Sequence, residues 1–170
     1  MEAKDILYNV ETGEVLKEVF EGDKVKVTRK ESLDYLSRFE TWNLEAFFKG
    51  HIGELEGIMM ELTTYEKAFL FSIVPKVGYD DCCLKHKNGN VLNQEDLIAL
   101  SGLSKPTVIK VIKSLIAKNV LYQGRNGKET QYFVNPWLFC KGNRINKVLK
   151  TMFRNYKVRV CGGMKWKDLG

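Results

Sequence analysis

The chain has 170 residues, of which 44% are hydrophobic and 28% are charged, a balance typical of a soluble globular protein with one good core. No apolar run approaches the roughly 20 residues that a membrane span requires, and the first ten residues do not resemble a signal peptide, so we expect a cytoplasmic protein. Residues 1–102 hold 12 Lys and Arg against 19 Asp and Glu, a net charge of −7, whereas residues 103–170 hold 15 against 2, a net charge of +13. This asymmetry is typical of a protein that presents one basic face to a nucleic acid.

The N-terminal third is predicted to begin with a β arm. Residues 6–10, 15–20 and 24–28 read as strands, and a Thr-Gly-Glu turn separates the first two. Because an isolated hairpin is marginal in water, we expect the arm to pack on the rest of the fold or on a second subunit. Residues 31–61 predict one helix or two, interrupted by three glycines, Gly50, Gly53 and Gly57.

A capping box marks the first helix of the next domain. Thr63 and Glu66 lie three residues apart just before an apolar run, which predicts a helix over 64–74 that ends near Pro75. Residues 82–86 and 90–92 then predict a short strand that leads into the next helix.

Residues 93–118 predict a helix-turn-helix. Asn93 is a candidate N-cap of the first helix, Gly102 can take the positive φ that the turn requires, and Ser104 is a candidate N-cap of the second helix. No acidic residue occurs from 103 to 128, so the exposed N-terminal half of the second helix offers short polar and basic side chains that suit a DNA major groove. The alternative is an ordinary amphipathic helix with a solvated lysine face. In either case one apolar stripe is buried, formed by Val108, Val111, Ile112, Leu115 and Ile116.

A basic β-hairpin is predicted directly after the second helix. Two short strands flank Asn126-Gly127, a strong signal for a two-residue hairpin turn. With that turn, Arg125 pairs with Lys128 at the tip, and two like charges across a hairpin are unfavourable unless an anion such as phosphate lies there. The order helix, strand, helix, helix, strand, strand is that of a winged helix.

The C-terminal part predicts a basic amphipathic helix that begins near residue 142. Its apolar stripe runs from Ile145 to Phe153, and its basic stripe includes Arg144 and Lys147. We expect the apolar stripe to dock on the winged domain or on a second subunit, and the basic stripe to extend the DNA face. Residues 157–170 are expected to be loosely ordered.

Together these patterns predict an α+β fold: a winged helix-turn-helix domain with an N-terminal β arm and a basic amphipathic C-terminal helix. The predicted divisions are residues 1–61, 62–140 and 141–170. The predicted partner is double-stranded DNA, and the predicted contacts are Ser104, Lys105, Thr107, Lys110, Lys113, Arg125, Asn126, Lys128, Arg144 and Lys147.

The run from Asn119 through the hairpin to Asn135-Pro136 and Lys141-Gly142 resembles the RepL family of plasmid replication proteins from Gram-positive bacteria. That family also has an N-terminal segment similar to residues 5–15 with its Thr-Gly-Glu turn, and the likeness covers most of the chain. The resemblance implies initiation or control of plasmid replication by binding DNA near an origin, with host replication proteins as further partners. It supplies no catalytic residue.

A winged-helix transcriptional regulator of the MarR type is the alternative, because the same surface would serve a promoter. A regulator that senses a ligand would need an apolar pocket with converging polar groups, which we would place between residues 31–61 and the winged domain. We expect a homodimer, since one recognition helix reads only a few base pairs, with the β arm and the stripe from Ile145 to Phe153 as its interface. The charge of residues 103–170 disfavours a winged helix that binds protein.

No enzymatic activity, metal or cofactor is predicted. The two histidines, His51 and His86, are far apart in sequence, and no phosphate-binding loop occurs, so we expect neither a DNA-nicking site nor a nucleotide site. Cys82, Cys83, His86 and Cys140 form the one set that resembles a zinc site, but they lack the paired spacing of structural zinc ligands. We expect all four cysteines, including Cys161, to be reduced thiols.

Overall fold

A computed structural model describes residues 48–170 and, before them, the backbone of residues 5–8 and 15–19. The chain divides into two compact units, residues 1–43 and 44–170. In the first unit, β1 (Asp5–Tyr8) pairs antiparallel with β2 (Val15–Val19), and these strands overlap with the first two of the predicted arm, 6–10 and 15–20. The predicted strand 24–28 and any helix before residue 48 lie outside the described residues. The predicted boundaries at 61/62 and 140/141 both fall inside the second unit.

The second unit begins with a short strand and two helices, β3 (Lys49–Gly50), α1 (Ile52–Glu61) and α2 (Thr64–Ile73). The capping box predicted for α2 is confirmed, because the Glu66 N–H donates to the Thr63 hydroxyl and the Thr63 N–H donates to the Glu66 carboxylate. After α2, a single 3-10 turn (Val74–Lys76) contains Pro75 and turns the chain toward the sheet.

Helix α1 continues through Gly53 and Gly57, so the prediction that these glycines interrupt a helix is wrong. Both glycines are instead places where the C-terminal segment approaches the helix closely. A Cβ at Gly57 would lie 2.3 Å from Arg159 Cδ, and a Cβ at Gly53 would lie 2.9 Å from Val160 Cγ1. The cost of glycine in a helix, about 1 kcal/mol each, is offset by the packing that this approach permits.

Helices α3 (Gln94–Ser101) and α4 (Lys105–Ala117) form the predicted helix-turn-helix. Asn93 caps α3 in a capping box with Asp96, and Gly102 ends the helix with a φ of +65°. Ser104 precedes α4, and Pro106 lies in its first turn, where a missing N–H costs no hydrogen bond.

A short strand segment joins the hairpin of β4 (Leu121–Asn126) and β5 (Glu129–Val134). The Leu84 N–H donates to the Tyr132 carbonyl at 2.8 Å, and the Val134 N–H donates to the Cys82 carbonyl at 2.9 Å. The segment around Cys83 therefore lies beside β5. The order α2, strand segment, α3, α4, β4, β5 is that of a winged helix, as predicted.

The register of the wing differs from the prediction. Asn126 pairs with Glu129, so the two-residue turn is Gly127-Lys128 and not Asn126-Gly127. Within this turn Gly127 alone has a positive φ, of +60°, which suits a type II′ turn with glycine at its first position. Arg125 and Lys128 are therefore not a cross-strand pair. The argument that an anion such as phosphate must lie between two facing like charges at the tip does not hold.

One hydrophobic core connects the helices of the winged domain to its sheet. Helix α4 buries Val108, Val111, Ile112 and Leu115, while Ile116 is only half-buried at the edge. Truncating Ile112 or Leu115 to alanine typically costs about 2–5 kcal/mol. The core cluster that contains this face also includes residues of the other elements, among them Phe69, Leu70, Ile73, Leu84, Leu97, Leu121, Tyr132 and Val134.

Asn135 links the end of β5 to the end of α4. Its side chain is fully buried, with Nδ2 donating to the Asn119 carbonyl at 2.8 Å and Oδ1 accepting the Trp137 N–H at 3.0 Å. Its own backbone N–H donates to the Val120 carbonyl at 3.0 Å. The Asn-Pro step that follows the wing in the sequence is thus a buried corner with all of these polar groups paired.

The C-terminal helix is shorter than predicted. Strand β6 (Phe139–Cys140) pairs with β3, and α5 covers only Val148–Met152. The Asn146 side chain accepts the Val148 N–H at 3.0 Å, a local hydrogen bond that competes with helix continuation on its N-terminal side. Leu149 and Phe153 are buried within this unit, while Ile145 remains exposed.

Residues 157–170 form defined elements, so the prediction of a loosely ordered tail is wrong. Strand β7 (Lys157–Val158) pairs with β8 (Met164–Lys165), and each is followed by a 3-10 turn. Trp166 is buried.

No helix in the described part of the chain is both long and apolar enough to cross a membrane.

A buried carboxylate attaches this tail to α1. Glu54 is fully buried and accepts the Tyr156 hydroxyl at 2.7 Å and the Val160 N–H at 2.8 Å. The Arg159 guanidinium lies 3.7 Å from the same carboxylate and bonds Glu61 at 2.6 Å. Burial, together with the hydrogen bond to Glu54, raises the pKa of Tyr156, so the phenol remains the donor.

Candidate nucleic-acid interface

The outward face of α4 carries two exposed lysines. Because Val108, Val111 and Leu115 are buried, the 3.6-residue period turns Lys110 and Lys113 to the opposite side of the helix, and both are exposed. Among the residues that the structure describes, neither lysine has a carboxylate within 4.0 Å. This face is therefore positively charged.

The N-terminus of α4 differs in detail from the prediction. The Ser104 hydroxyl lies 2.8 Å from the Thr107 hydroxyl and makes no capping bond to the helix backbone. Lys105 extends back to α3 and forms an ion pair with Glu95 at 2.7 Å, with both side chains more than half exposed. An exposed pair of this kind contributes only about 0–1 kcal/mol, so Lys105 can exchange Glu95 for a phosphate at little cost.

The wing tip lies close to the N-terminus of α3. Lys128 and Gln123 line one side of a groove of about 480 Å³, and Gln94 and Glu95 line the other. Glu95 also pairs with Lys105, so the α3 side of the groove contacts the start of α4. Arg125, Asn126 and Lys128 are all exposed at this end of the wing.

A second groove of about 400 Å³ separates α4 from the start of α2, and Tyr65, Thr107, Lys110 and Ser114 line it. Glu66 also lines this groove, and Lys118 bonds both of its carboxylate oxygens at 2.8 Å. Burial alone would raise the pKa of Glu66, but hydrogen bonds from Lys118, Ser114 and Thr63 outweigh burial and lower the pKa to about 2. This ion pair fixes the C-terminal end of α4 to α2.

Arg144 and Lys147 are not on the helix where they were predicted. Both lie in the segment between β6 and α5, and Arg144 is 3.9 Å from Asp80. The same segment bonds the Asp80 carbonyl through the Asn146 N–H. The described contacts thus join Arg144 and Asn146 to the Asp80 loop, and Lys147 lies in the same segment at the start of α5.

The basic excess of residues 103–170 is divided between structural and exposed positions. Lys118 and Arg159 hold Glu66, Glu54 and Glu61 in ion pairs, so part of the excess neutralises acidic groups of α1 and α2. The prediction that the charge forms one face therefore holds only for part of it. The exposed members on α4 and the wing are Lys105, Lys110, Lys113, Arg125 and Lys128.

The sequence did not indicate two residues that line the grooves beside α4 and the wing, one at the start of α2 and one at the start of α3. Tyr65 is 61% exposed beside Thr107, and Gln94 faces Gln123 across the wing groove. The capping boxes located both helix starts, but no local pattern indicates that these two starts flank α4, because that proximity is set by tertiary packing.

The cysteines do not converge with a histidine in the way a zinc site requires. The Cys82 thiol faces the Phe139 carbonyl and the Cys83 thiol faces the Leu84 carbonyl, whereas His86 Nε2 lies 3.3 Å from Asp96. Burial raises the pKa of Cys82 to about 12 and that of Cys83 to about 11. Within the described residues, no three His, Cys, Asp or Glu side chains are grouped as metal ligands.

The fold and this surface define residues 44–170 as an α+β unit that contains a winged helix. No family model and no curated protein matches the chain. A solved structure, TubR bound to 24 bp of tubC from Bacillus thuringiensis serovar israelensis pBtoxis, is similar over 56% of this chain and 84% of that chain, with 20% identity and a TM-score of 0.33. A similarity this low supports no statement about function, and the resemblance to the RepL family stays a prediction.

Proposed function

We propose that this protein binds double-stranded DNA in a sequence-specific manner, with α4 in the major groove and the wing tip on the phosphate backbone. The observation that carries the proposal is the outward face of α4, where Lys110 and Lys113 are exposed and have no described ionic partner. A helix with short polar and basic groups on its exposed side fits the width of a major groove.

The surroundings of α4 support this docking. At its start, the Ser104 and Thr107 hydroxyls bond each other, and either can bond a base edge or a phosphate instead. At the wing, Lys128 is in the turn itself, where a side chain can reach the backbone beside the groove. Phosphate contacts of this kind position a protein on DNA, while base contacts supply specificity.

We further propose that the DNA site lies at a plasmid origin and that the protein initiates or controls replication as a homodimer, without catalysis of its own. The resemblance of residues 119–142 to the RepL family supports this role. Two copies would read two half-sites about one helical turn apart, which raises both affinity and specificity.

A selection from a pool of random-sequence duplexes tests the binding proposal. We expect the full chain to enrich one motif arranged as an inverted repeat, and Lys110→Ala to relax the preference at one or two positions in each half. The exposed Lys157 on β7 supplies the control, because Lys157→Ala should enrich the unaltered motif. If folded protein enriches no motif at all, sequence-specific binding is excluded.

Footprinting on the DNA that flanks the gene separates the two candidate roles. Protection of repeated sites within a segment that supports plasmid replication would agree with a replication role. Protection confined to a promoter would contradict that role and favour the MarR-like regulator.

A further inference from the structure

A groove of about 470 Å³ lies on the side of the winged-domain sheet away from the wing. Val77 pairs with Leu84, and the adjacent Cys83 pairs with Phe133 of β5, so the segment 83–84 separates the chain around Val77 from the wing strands. The volume lies in the range of about 300–1,000 Å³ that small-molecule sites occupy. None of the residues assigned above to DNA binding lines this groove.

The lining of the groove is rich in lysine and contains no carboxylate. The lysines are Lys76, Lys85, Lys87 and Lys141. Lys85 forms an ion pair with Asp81. Within the described part of the chain, the other three have no carboxylate within 4.0 Å. The groove is therefore positively charged, and a ligand with several negative charges suits it better than a monoanion.

Two of these lysines are opposite each other on neighbouring strand segments. Next to the antiparallel pair of Val77 and Leu84, the Lys85 N–H donates to the Lys76 carbonyl at 2.9 Å. Directly opposite residues project to the same face, and like charges at such positions are unfavourable. Asp81 compensates the charge of Lys85 alone, so a bound polyanion would remove the remaining repulsion.

An exposed aromatic ring also lines the groove. Tyr79 is 59% exposed, so much of its side chain is open to a ligand. Lys141 Nζ lies 5.8 Å from the centroid of this ring and donates to the Pro75 carbonyl at 3.2 Å, which keeps the ammonium beside the ring. Aromatic side chains contact planar rings favourably, so a ligand that carries both a polyanionic chain and a planar ring can use Tyr79 and the lysines together.

We propose that this groove binds a nucleoside diphosphate or triphosphate, with the phosphates on Lys76, Lys87 and Lys141 and the base against the exposed part of Tyr79. Lysine ammonium groups are common phosphate ligands. The lysines come from three separate segments of the chain, so no local motif marks the site, and the absence of a phosphate-binding loop does not exclude it. The proposal is independent of DNA binding, because it rests on a different set of residues.

Calorimetric titration of the full chain with ADP, GDP and CDP at low salt tests the proposal. We expect at least one of these nucleotides to saturate a single site. Pyrophosphate should bind more weakly because it lacks the base, adenosine should not saturate because it lacks the charge, and citrate, a carboxylate polyanion, should bind more weakly than the nucleotide. Amide shifts on binding should be largest around the groove, at Gly78, Lys87 and Gly89.

Two variants separate the phosphate contact from the base contact. Lys87→Gln should weaken the nucleotide and pyrophosphate by about tenfold, the factor expected for a hydrogen bond to a charged group. Tyr79→Leu should weaken the nucleotide and leave pyrophosphate unchanged, which distinguishes a nucleotide from an inorganic polyphosphate as the ligand. Lys157→Gln is the matched control and should change neither.

The proposal is overturned if no nucleoside diphosphate saturates, or if citrate binds as tightly as the nucleotide. It is also overturned if Lys157→Gln weakens binding as much as Lys87→Gln, or if Tyr79→Leu leaves nucleotide binding unchanged. If Lys87→Gln lowers the slope of log DNA affinity against log salt by about one, the groove belongs to the DNA backbone, and the proposal fails on that ground.

Discussion

Replacing Glu54 with alanine is expected to lower the free energy of unfolding by about 3–5 kcal/mol, the largest effect expected of any single polar residue in the described part of the chain. The Glu54 carboxylate is fully buried and accepts hydrogen bonds from the Tyr156 hydroxyl and the Val160 N–H. Removing it leaves both donors without an acceptor and the Arg159 charge without one of its two carboxylate neighbours. Unpaired buried groups lose hydration without any compensation.

Urea unfolding of the variant measures this loss, and Glu56 offers a matched control. Glu56 is exposed on the same helix, so Glu56→Ala should change stability by less than about 0.5 kcal/mol. Because the tail is held by the same carboxylate, amide exchange in residues 157–170 should also accelerate in Glu54→Ala. Equal stability of the two variants would show that the tail does not depend on this contact.

Replacing Glu66 with glutamine is expected to cost about 3 kcal/mol at neutral pH, because it leaves the Lys118 ammonium against a neutral amide. Glutamine keeps the shape and can still accept the Thr63 N–H, so the variant isolates the charge. The side chain of Glu66 is only 3% exposed, and the ion pair joins the end of α4 to α2.

We also expect the effect of Glu66→Gln on the free energy of unfolding to depend on pH. The pKa of Glu66 falls from its ordinary value of 4.5 to about 2 on folding, so the ionised group stabilises the fold fully above about pH 4.5. That contribution is lost as pH falls from about 4.5 toward 2, where the unfolded chain takes up the proton first. The stability difference between the natural chain and Glu66→Gln should therefore be constant above pH 5 and shrink below it. A difference that is constant down to pH 2.5 would contradict the assigned pKa.

Local chemistry is why the helix-turn-helix could be predicted from sequence. Asn93 and Thr63 are capping residues whose partners lie three positions away, and Gly102 is a residue that tolerates a positive φ. Each of these signals involves only neighbours in the chain, so sequence distance and spatial distance agree. The buried stripe of α4 follows for the same reason, since its period is a property of the helix.

The features that sequence reasoning missed depend on contacts between distant residues. Glu54 reads as an ordinary helix glutamate, and only its contact with Tyr156, 102 positions away, makes it a buried anchor. Gly57 reads as a helix breaker until Arg159 is placed against it. The wing register was mispredicted by two residues because Asn-Gly and Gly-Lys both allow a two-residue turn, and the choice between them depends on how the strands pack below.

The candidate site was predictable in its residue types and less so in their arrangement. Lys110 and Lys113 follow from helical period, and Lys128 follows from its place at a hairpin tip. Two features could not be predicted in this way: Lys105 pairs with Glu95, and Arg144 lies in a loop beside Asp80 instead of on a helix. Both depend on how distant parts of the chain pack together. Basic residues in the sequence thus indicate a DNA-binding surface only when those that form ion pairs within the fold are known and left out.

The most direct test of whether α4 reads DNA is a binding measurement on the selected duplex and on a scrambled duplex over a salt series. The variants compared are Lys110→Ala, Lys128→Ala and the control Lys157→Ala. We expect Lys110→Ala to weaken the selected site by about 1–3 kcal/mol with a smaller effect on the scrambled duplex, as for a base contact. We expect Lys128→Ala to weaken both duplexes and to lower the slope of log affinity against log salt by about one, as for a phosphate contact. Lys157→Ala should change neither quantity. If Lys110→Ala leaves the specific affinity intact and Lys128→Ala leaves the salt slope intact, α4 and the wing do not contact DNA.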